Sequence, residues 1–274
     1  MSGADFAQID WRGRSVRIEH RFIVPPDAAE AAPLVVFLHE GLGSVAMWKD
    51  FPDRLCQTLG VRGLVYSRPG YGRSTPRAAN APLDVDFMHR QALEVLPAFL
   101  AALGITQPVW LFGHSDGGSI ALLFAARHPQ AVAGLVLLAP HLFVEDVTVQ
   151  NIELARHAYD HADLRARLAR YHDDVDSAFR GWNDIWLAPA FRAWNIEADI
   201  EGIHCPVLAI QGLDDEYGTL AQIEGIAARV PGTQLLPIPG CGHSPHRDQP
   251  EQVIGATGRM LAPSLRGAQA AAPR

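Results

Sequence analysis

The sequence predicts an α/β domain: a mostly parallel central sheet with helices on both faces. Three observations predict it. Six short stretches are continuously apolar, as strands buried on both faces must be. Helical patterns separate them, and strands alternating with helices imply parallel pairing through crossover connections. One long stretch, from about residue 141 to 200, breaks the alternation and contains no such run.

The first elements form a pair. Phe6–Trp11 and Ser15–Ile23 alternate apolar and polar residues around Arg12-Gly13-Arg14, which predicts a hairpin. Pro25-Pro26 breaks the chain. The buried-strand runs are Leu34–His39, Gly63–Tyr66, Val109–Phe112, Gly134–Ala139, Val207–Ile210 and Gln234–Ile238. Between them lie the helical patterns Ala46–Leu59, Val85–Leu103, Gly117–Arg127, Leu220–Val230 and Gln249–Leu261. Pro97 inside the second should kink it. The interrupting stretch reads as helices over Val149–Ala162, Asp163–Arg170 and Asp174–Trp186, with a short piece near Trp194. The expected organisation is a core over 1–140 and 201–262, a helical cap over 141–200, and a disordered tail over 263–274.

Composition sets the boundaries. The chain has 274 residues, 48% hydrophobic and 19% charged, enough apolar material for a large core. The net charge of -7 argues against a nucleic-acid partner, whose phosphates call for a basic face. Of 23 basic residues only Lys49 is a lysine; this bias reads as coding composition rather than chemistry. Cys56, Cys205 and Cys241 form no CxxC pattern, so neither a disulfide framework nor a metal site is expected. No leader-like apolar segment and no membrane-length run stands out, so the expectation is a cytoplasmic protein without membrane contact.

After the run Val109–Phe112 comes Gly113-His114-Ser115-Asp116-Gly117-Gly118. This is G-x-S-x-G between a buried strand and a helix. A serine on so tight a turn is strained, its neighbours two residues away must be small, and its hydroxyl is thrust out at the sheet edge beside helix N-terminal amides. Ser115 is the candidate nucleophile.

With this elbow the sequence resembles the α/β-hydrolase superfamily over about Ile18 to Leu261. The resemblance rests on ordered motifs: His39-Glu40-Gly41-Leu42-Gly43, Ser67-Arg68-Pro69-Gly70-Tyr71-Gly72-Arg73-Ser74, the Ser115 elbow, Gly212-Leu213-Asp214-Asp215, and Gly242-His243. It implies a triad in the chain order serine, acid, histidine. His243 matches the histidine position, with His246 as its rival. Asp215 matches the acid, with the adjacent Asp214 as alternative. It implies an oxyanion hole from the amides of Asp116 and Gly41. Here the chain departs from the pattern. Glu40 stands where many members have glycine, either paired with a loop group or placed as a carboxylate near the nucleophile, as in dienelactone hydrolases. Asp116 stands where Met or Gln is frequent, and Ser67 where many relatives carry Asp. His114 is expected to pack beside the elbow.

The resemblance implies a serine hydrolase acting on a small ester, lactone or thioester, with no cofactor and no metal, as a monomer or homodimer. The alternatives are a C–C bond hydrolase of aromatic-degradation products, a cofactor-free haloperoxidase or lyase, and a non-catalytic receptor on the same fold. Candidate pocket residues are Glu40, Met47, Trp48, His141, Phe143, Trp182 and Trp186, with Trp194 as a further cap aromatic. Each aromatic has packing as its alternative role. Arg68, Arg73 and Arg77 are the arginines nearest the expected catalytic edge.

Overall fold

The computed structural model describes residues 5–78 and 81–271. Its sheet has eight strands: β1 (Asp5–Trp11), β2 (Arg14–Ile23), β3 (Leu34–Leu38), β4 (Arg62–Tyr66), β5 (Val109–His114), β6 (Val132–Leu138), β7 (Val207–Gly212) and β8 (Gln234–Ile238). Their spatial order is β1-β2-β4-β3-β5-β6-β7-β8. From β4 to β8 every pairing is parallel, while β1 and β2 join antiparallel at one edge. The hairpin between them turns on Arg12 and Gly13 at φ 55° and 70°, the left-handed pair that a two-residue turn between twisted strands requires.

The period of two along each central strand divides the core into two layers. On one face lie Leu34, Val36 and Leu38 of β3, Leu111 of β5, Leu135 and Leu137 of β6, and Ala209 of β7. On the other lie Val35 and Phe37, Trp110 and Phe112, Val136 and Leu138, Leu208 and Ile210. The first face is covered by α4 (Asp116–Arg127) and the helical stretch Phe87–Ala102. The second is covered by α1 (Phe51–Leu59) and a long C-terminal helix.

The stretch around Pro97 does not simply kink. It divides into α2 (Phe87–Arg90), a π-helical turn Gln91–Val95 and α3 (Leu96–Ala102). Pro97 sits in the first turn of α3, where its missing N–H costs little, and the wider turn before it absorbs the extra backbone.

The other helices are α5 (Asp146–His161), α6 (Leu164–Leu168), α7 (Val175–Trp186), α8 (Ala221–Arg229), α9 (Pro245–Asp248) and α10 (Pro250–Ala271). The first three, with a 3₁₀ turn Pro189–Ala193, form one insertion between β6 and β7. Its two ends meet where Phe143 bridges Asn195 and Ile196 N–H bonds the Leu142 carbonyl at 2.8 Å. Its inner face is apolar: Ile152, Leu168, Phe179, Trp182, Trp186 and Phe191 join the same layer as α4. One difference from expectation is at the C-terminus. Helix α10 continues through Pro263 to Ala271, into the stretch expected to be a disordered tail, and Leu265 still packs on the core. Residues 272–274 lie outside the described residues. Among the described residues no helix is long and apolar enough to cross a membrane.

Candidate active site

Ser115 sits between the last residue of β5 and the first of α4, at φ 53° and ψ -121°. This is a strained conformation for a residue with a Cβ. The turn persists because it is held from both sides. Ser115 N–H donates to the Leu138 carbonyl, and the Ser115 carbonyl accepts from Gly118 N–H, each at 2.8 Å. The flanking glycines are steric necessities. A Cβ on Gly113 would lie 2.5 Å from the Gly117 carbonyl oxygen, and one on Gly117 would lie 2.1 Å from that of Leu38. The serine faces a cavity of about 180 Å³ at the carboxyl edge of the parallel strands, the usual location of sites in such sheets.

The loop after β8 brings His243 to the same cavity, backed by Asp215 from the loop after β7. His243 Nδ1 lies 2.9 and 3.0 Å from the two carboxylate oxygens of Asp215. A carboxylate only accepts, so Nδ1 carries the proton and Nε2 of the neutral ring keeps its lone pair. Asp215 also accepts from the Tyr217 N–H at 2.7 Å and from Gln211 Nε2 at 2.5 Å. Burial alone would raise its carboxyl, but the bond and charge of His243 and the Tyr217 amide hold it below the usual range. For His243 burial pulls down, and the bond and charge of Asp215, then Glu216 and Glu40, push it above the usual imidazole value. Asp214 is exposed and uses only its backbone here, donating to the Cys241 carbonyl. His246 is buried against Trp48 and Phe51, 4.9 and 5.4 Å between ring centroids.

Ser115 Oγ itself bonds a different imidazole: His141 Nε2, at 3.3 Å. No hydrogen bond joins Ser115 to His243. His141 follows β6, after Ala139 at φ 45°, and its backbone is tied on both sides to Ser119 of α4, at 2.6 and 3.1 Å. Its ring stands edge-on to Trp186. Burial, then the nearby His243, pull its pKa down to about 3, so it is neutral at ordinary pH. A neutral ring offers no positive charge to a substrate carboxylate.

The turn after β3 supplies the opposite wall. The Glu40 carbonyl accepts from Arg68 Nη2 at 2.8 Å, His39 Nδ1 at 2.6 Å and Gly43 N–H at 3.1 Å. In a planar trans peptide the next N–H points the other way. The Gly41 amide is therefore turned from those three donors. Gly41 lines the cavity, and a Cβ there would lie 2.1 Å from the Trp182 indole nitrogen. Across the cavity, Asp116 presents the first amide of α4. Its side chain is buried, 3.7 Å from Arg68 Nη2 and bonded by Trp186 Nε1 at 3.3 Å. Burial raises this carboxyl despite both partners.

Glu40, Gly41, Met47, Ser115, Asp116, His141, Trp182, Trp186 and His243 thus share one cavity. Two expected members do not line it. Trp48 is 3% exposed and packs with Phe37, Phe51 and Phe112 in the opposite core layer. Phe143 pairs with Asn195 at the root of the insertion. Trp194 is likewise buried, stacked on Phe191. Arg68 is 1% exposed beneath Asp116 rather than at a mouth, and Arg77 is spent on the carbonyls of Ala81 and Ser177. The cavity adds Leu42, Thr148, Ile152, Leu168 and Tyr217, which sequence reasoning missed. Leu42 lies inside the His39–Gly43 motif and Tyr217 two residues past Asp215; the other three stand in no motif. Among the described residues no cluster of three or more His, Cys, Asp or Glu could hold a metal ion.

The sequence pattern of the Alpha/beta hydrolase family matches residues 35–256. The chain belongs to the alpha/beta hydrolase family. Among relatives of this alpha/beta hydrolase, a Pseudomonas savastanoi protein that bears the name of a carbamate hydrolase, RutD, is 30% identical over 243 residues, covering 80% of this chain and 90% of the relative. The fold is shared with proline iminopeptidase of Mycobacterium smegmatis (TM-score 0.75, 19% identity, 98% and 100% coverage). It is shared also with the enol-lactonase of Burkholderia xenovorans LB400 (TM-score 0.72, 21% identity, 94% and 100% coverage).

Proposed function

We propose that this hydrolase cleaves a small uncharged carboxylic ester, lactone or thioester through an acyl-enzyme on Ser115. The observation that carries the reading is a strained serine facing the same cavity as an imidazole whose far nitrogen is bonded to a buried carboxylate. Rotation about the Cα–Cβ bond turns Oγ from its resting contact with His141 toward His243. His243 Nε2 takes the hydroxyl proton as Oγ attacks the carbonyl carbon, and Asp215 stabilises the imidazolium that forms. The amides of Gly41 and Asp116 hold the oxyanion. His243 then protonates the leaving group. A water, deprotonated by the same nitrogen, releases the acid from Ser115.

The lining supports an uncharged substrate. Leu42, Met47, Ile152, Leu168, Trp182 and Trp186 supply apolar contact, and no lysine or arginine lines the cavity to receive an anion. We read the helical insertion as a cap over this cavity, since it contributes Thr148, Ile152, Leu168, Trp182 and Trp186 to the lining. A carbamate is the second reading, favoured by the relative that bears that name; it uses the same attack on a carbonyl.

The test is a panel of p-nitrophenyl esters, lactones, thioesters and carbamates, with Ser115→Ala as control. Turnover by the wild type, its loss in Ser115→Ala, and covalent labelling of Ser115 by an alkyl phosphonate are the expected results. Undiminished turnover in Ser115→Ala overturns the reading.

A further inference from the structure

Glu40 is the residue at which the β3 turn departs from its family's pattern, and the acyl-transfer chemistry gives its side chain no part. Its neighbour does. His114, the residue before the nucleophile, has its Nε2 2.7 Å from the backbone carbonyl of His243. A carbonyl only accepts, so this nitrogen carries a proton. The other nitrogen, Nδ1, is buried with no hydrogen-bond partner and faces Glu40 Oε2 at 3.6 Å. A neutral ring would turn a bare lone pair toward a carboxylate in a place where His114 is 2% exposed. A proton on Nδ1 as well converts that repulsion into an ion pair at low effective dielectric. The carboxylate is ionised: burial alone would raise it, but the adjacent His114 holds it well below the usual range.

We propose that Glu40 and His114 form a second carboxylate–imidazole pair whose task is to hold His243 in place. Glu40 holds His114, and His114 holds the His243 carbonyl, with the two rings 5.1 Å apart. Asp215 holds the ring of His243, and the Asp214 N–H bonds the Cys241 carbonyl; two further bonds to the loop backbone come from the outer side. Glu216 accepts from His243 N–H at 3.2 Å and Asp248 from Gly242 N–H at 2.9 Å, both exposed. The His114 bond reaches the His243 backbone from the buried side. It joins three segments that acyl transfer needs in register: the turn carrying Gly41, the elbow carrying Ser115 and the loop carrying His243. His114 and Glu40 are positioning residues. The inference rests on His243 being the base of the proposed reaction.

The test uses the full chain with p-nitrophenyl butyrate as substrate. His114→Leu should lower kcat by about 10- to 100-fold, the scale of a misplaced reacting group, with KM changed less than about twofold. His114→Gln, which keeps an N–H for the carbonyl, should recover most of the loss. The double variant Glu40→Leu/His114→Leu should be no worse than His114→Leu alone, since the pair acts as a unit. Independently of turnover, the side-chain ¹⁵N spectrum should show both His114 nitrogens protonated in the wild type and one in Glu40→Gln. An unchanged kcat in a folded His114→Leu variant, a Gln variant no better than Leu, or a Glu40→Leu defect confined to KM overturns the proposal. So does a wild-type spectrum with a single proton on His114, a result that also decides the matter should His114→Leu not fold. Activity surviving in Ser115→Ala would overturn the serine mechanism but leave the spectral result standing.

Discussion

The buried imidazoles of His39 and His243 have their protons placed by their partners. His39 donates from Nδ1 to the Glu40 carbonyl and accepts the Arg68 amide at Nε2, so it is neutral, and burial holds its pKa well below the usual value. His243 is the opposite case, raised by the bond and charges of its carboxylates against the pull of burial. In the proposed reaction His243 must be neutral to accept the Ser115 proton, so kcat/KM for an uncharged ester should rise with pH through one limb centred above 6.5, the ordinary histidine value. His141, neutral above about 3, adds no limb. Asp215→Asn should move the limb to lower pH and cut kcat by about 10⁴-fold, read from a pH–rate profile of each protein. A limb unmoved by that substitution would remove Asp215 from the mechanism. At this scale the sequence is legible where chemistry coincides with local backbone geometry. Ser115 announces itself because a strained turn demands glycines two residues away. The pairing of His114 with Glu40 and with the His243 carbonyl was not legible, because no spacing rule relates a residue before the elbow to loops far along the chain. Trp48 and Trp182 also look alike in sequence; only the helix face each occupies sends one to the core and the other to the cavity.

Elements are where the reading from sequence and the folded chain agree most closely. A parallel strand buried on both faces must be apolar at every position, so β3, β5, β6 and β7 stand out, and their alternate residues divide cleanly between two core layers. The π turn before Pro97 was not legible. A proline forbids a regular continuation but does not say how the chain accommodates it. The same layered packing makes a prediction at Gly134 of β6. A Cβ there would lie 2.2 Å from the Trp110 ring on the neighbouring strand. Gly134→Ala should cost about 1–3 kcal/mol by overpacking, seen as a lower denaturation midpoint with unchanged slope. Gly104→Ala, with open space around its Cβ but a φ of 68°, would cost only the strain of its backbone. Equal packing defects in the two variants would refute the layered account.

Across the whole molecule, contacts between insertion and core depend on neutral histidine. His172, between α6 and α7, accepts the Gly72 N–H at Nδ1 and donates from Nε2 to the Leu42 carbonyl, each at 2.9 Å. Burial lowers its pKa, as it does for His39, His141 and His246. A group whose folded pKa lies below its unfolded value stabilises the fold above the unfolded pKa and loses that contribution as pH falls. Four such groups outnumber His243, whose raised pKa works in the other direction. The thermal midpoint should therefore drop as pH is lowered from about 7 to about 5, and His172→Gln, uncharged at any pH, should flatten that slope. A midpoint level across this range would contradict the burial of these rings. The bridge between Phe143 and Asn195 matters at this scale too. The insertion leaves and re-enters the sheet through one clasp, so the strands on either side never register how much chain lies beyond it. Lengthening a turn of that chain carries only the weak logarithmic cost of a longer loop, whereas exchanging the chain must replace the apolar face packed on the α4 layer and the His172 bonds to Gly72 and Leu42. A graft spliced between Phe143 and Asn195 would leave Ser115, His141, Asp215 and His243 on the sheet's edge, while bringing its own walls to the cavity.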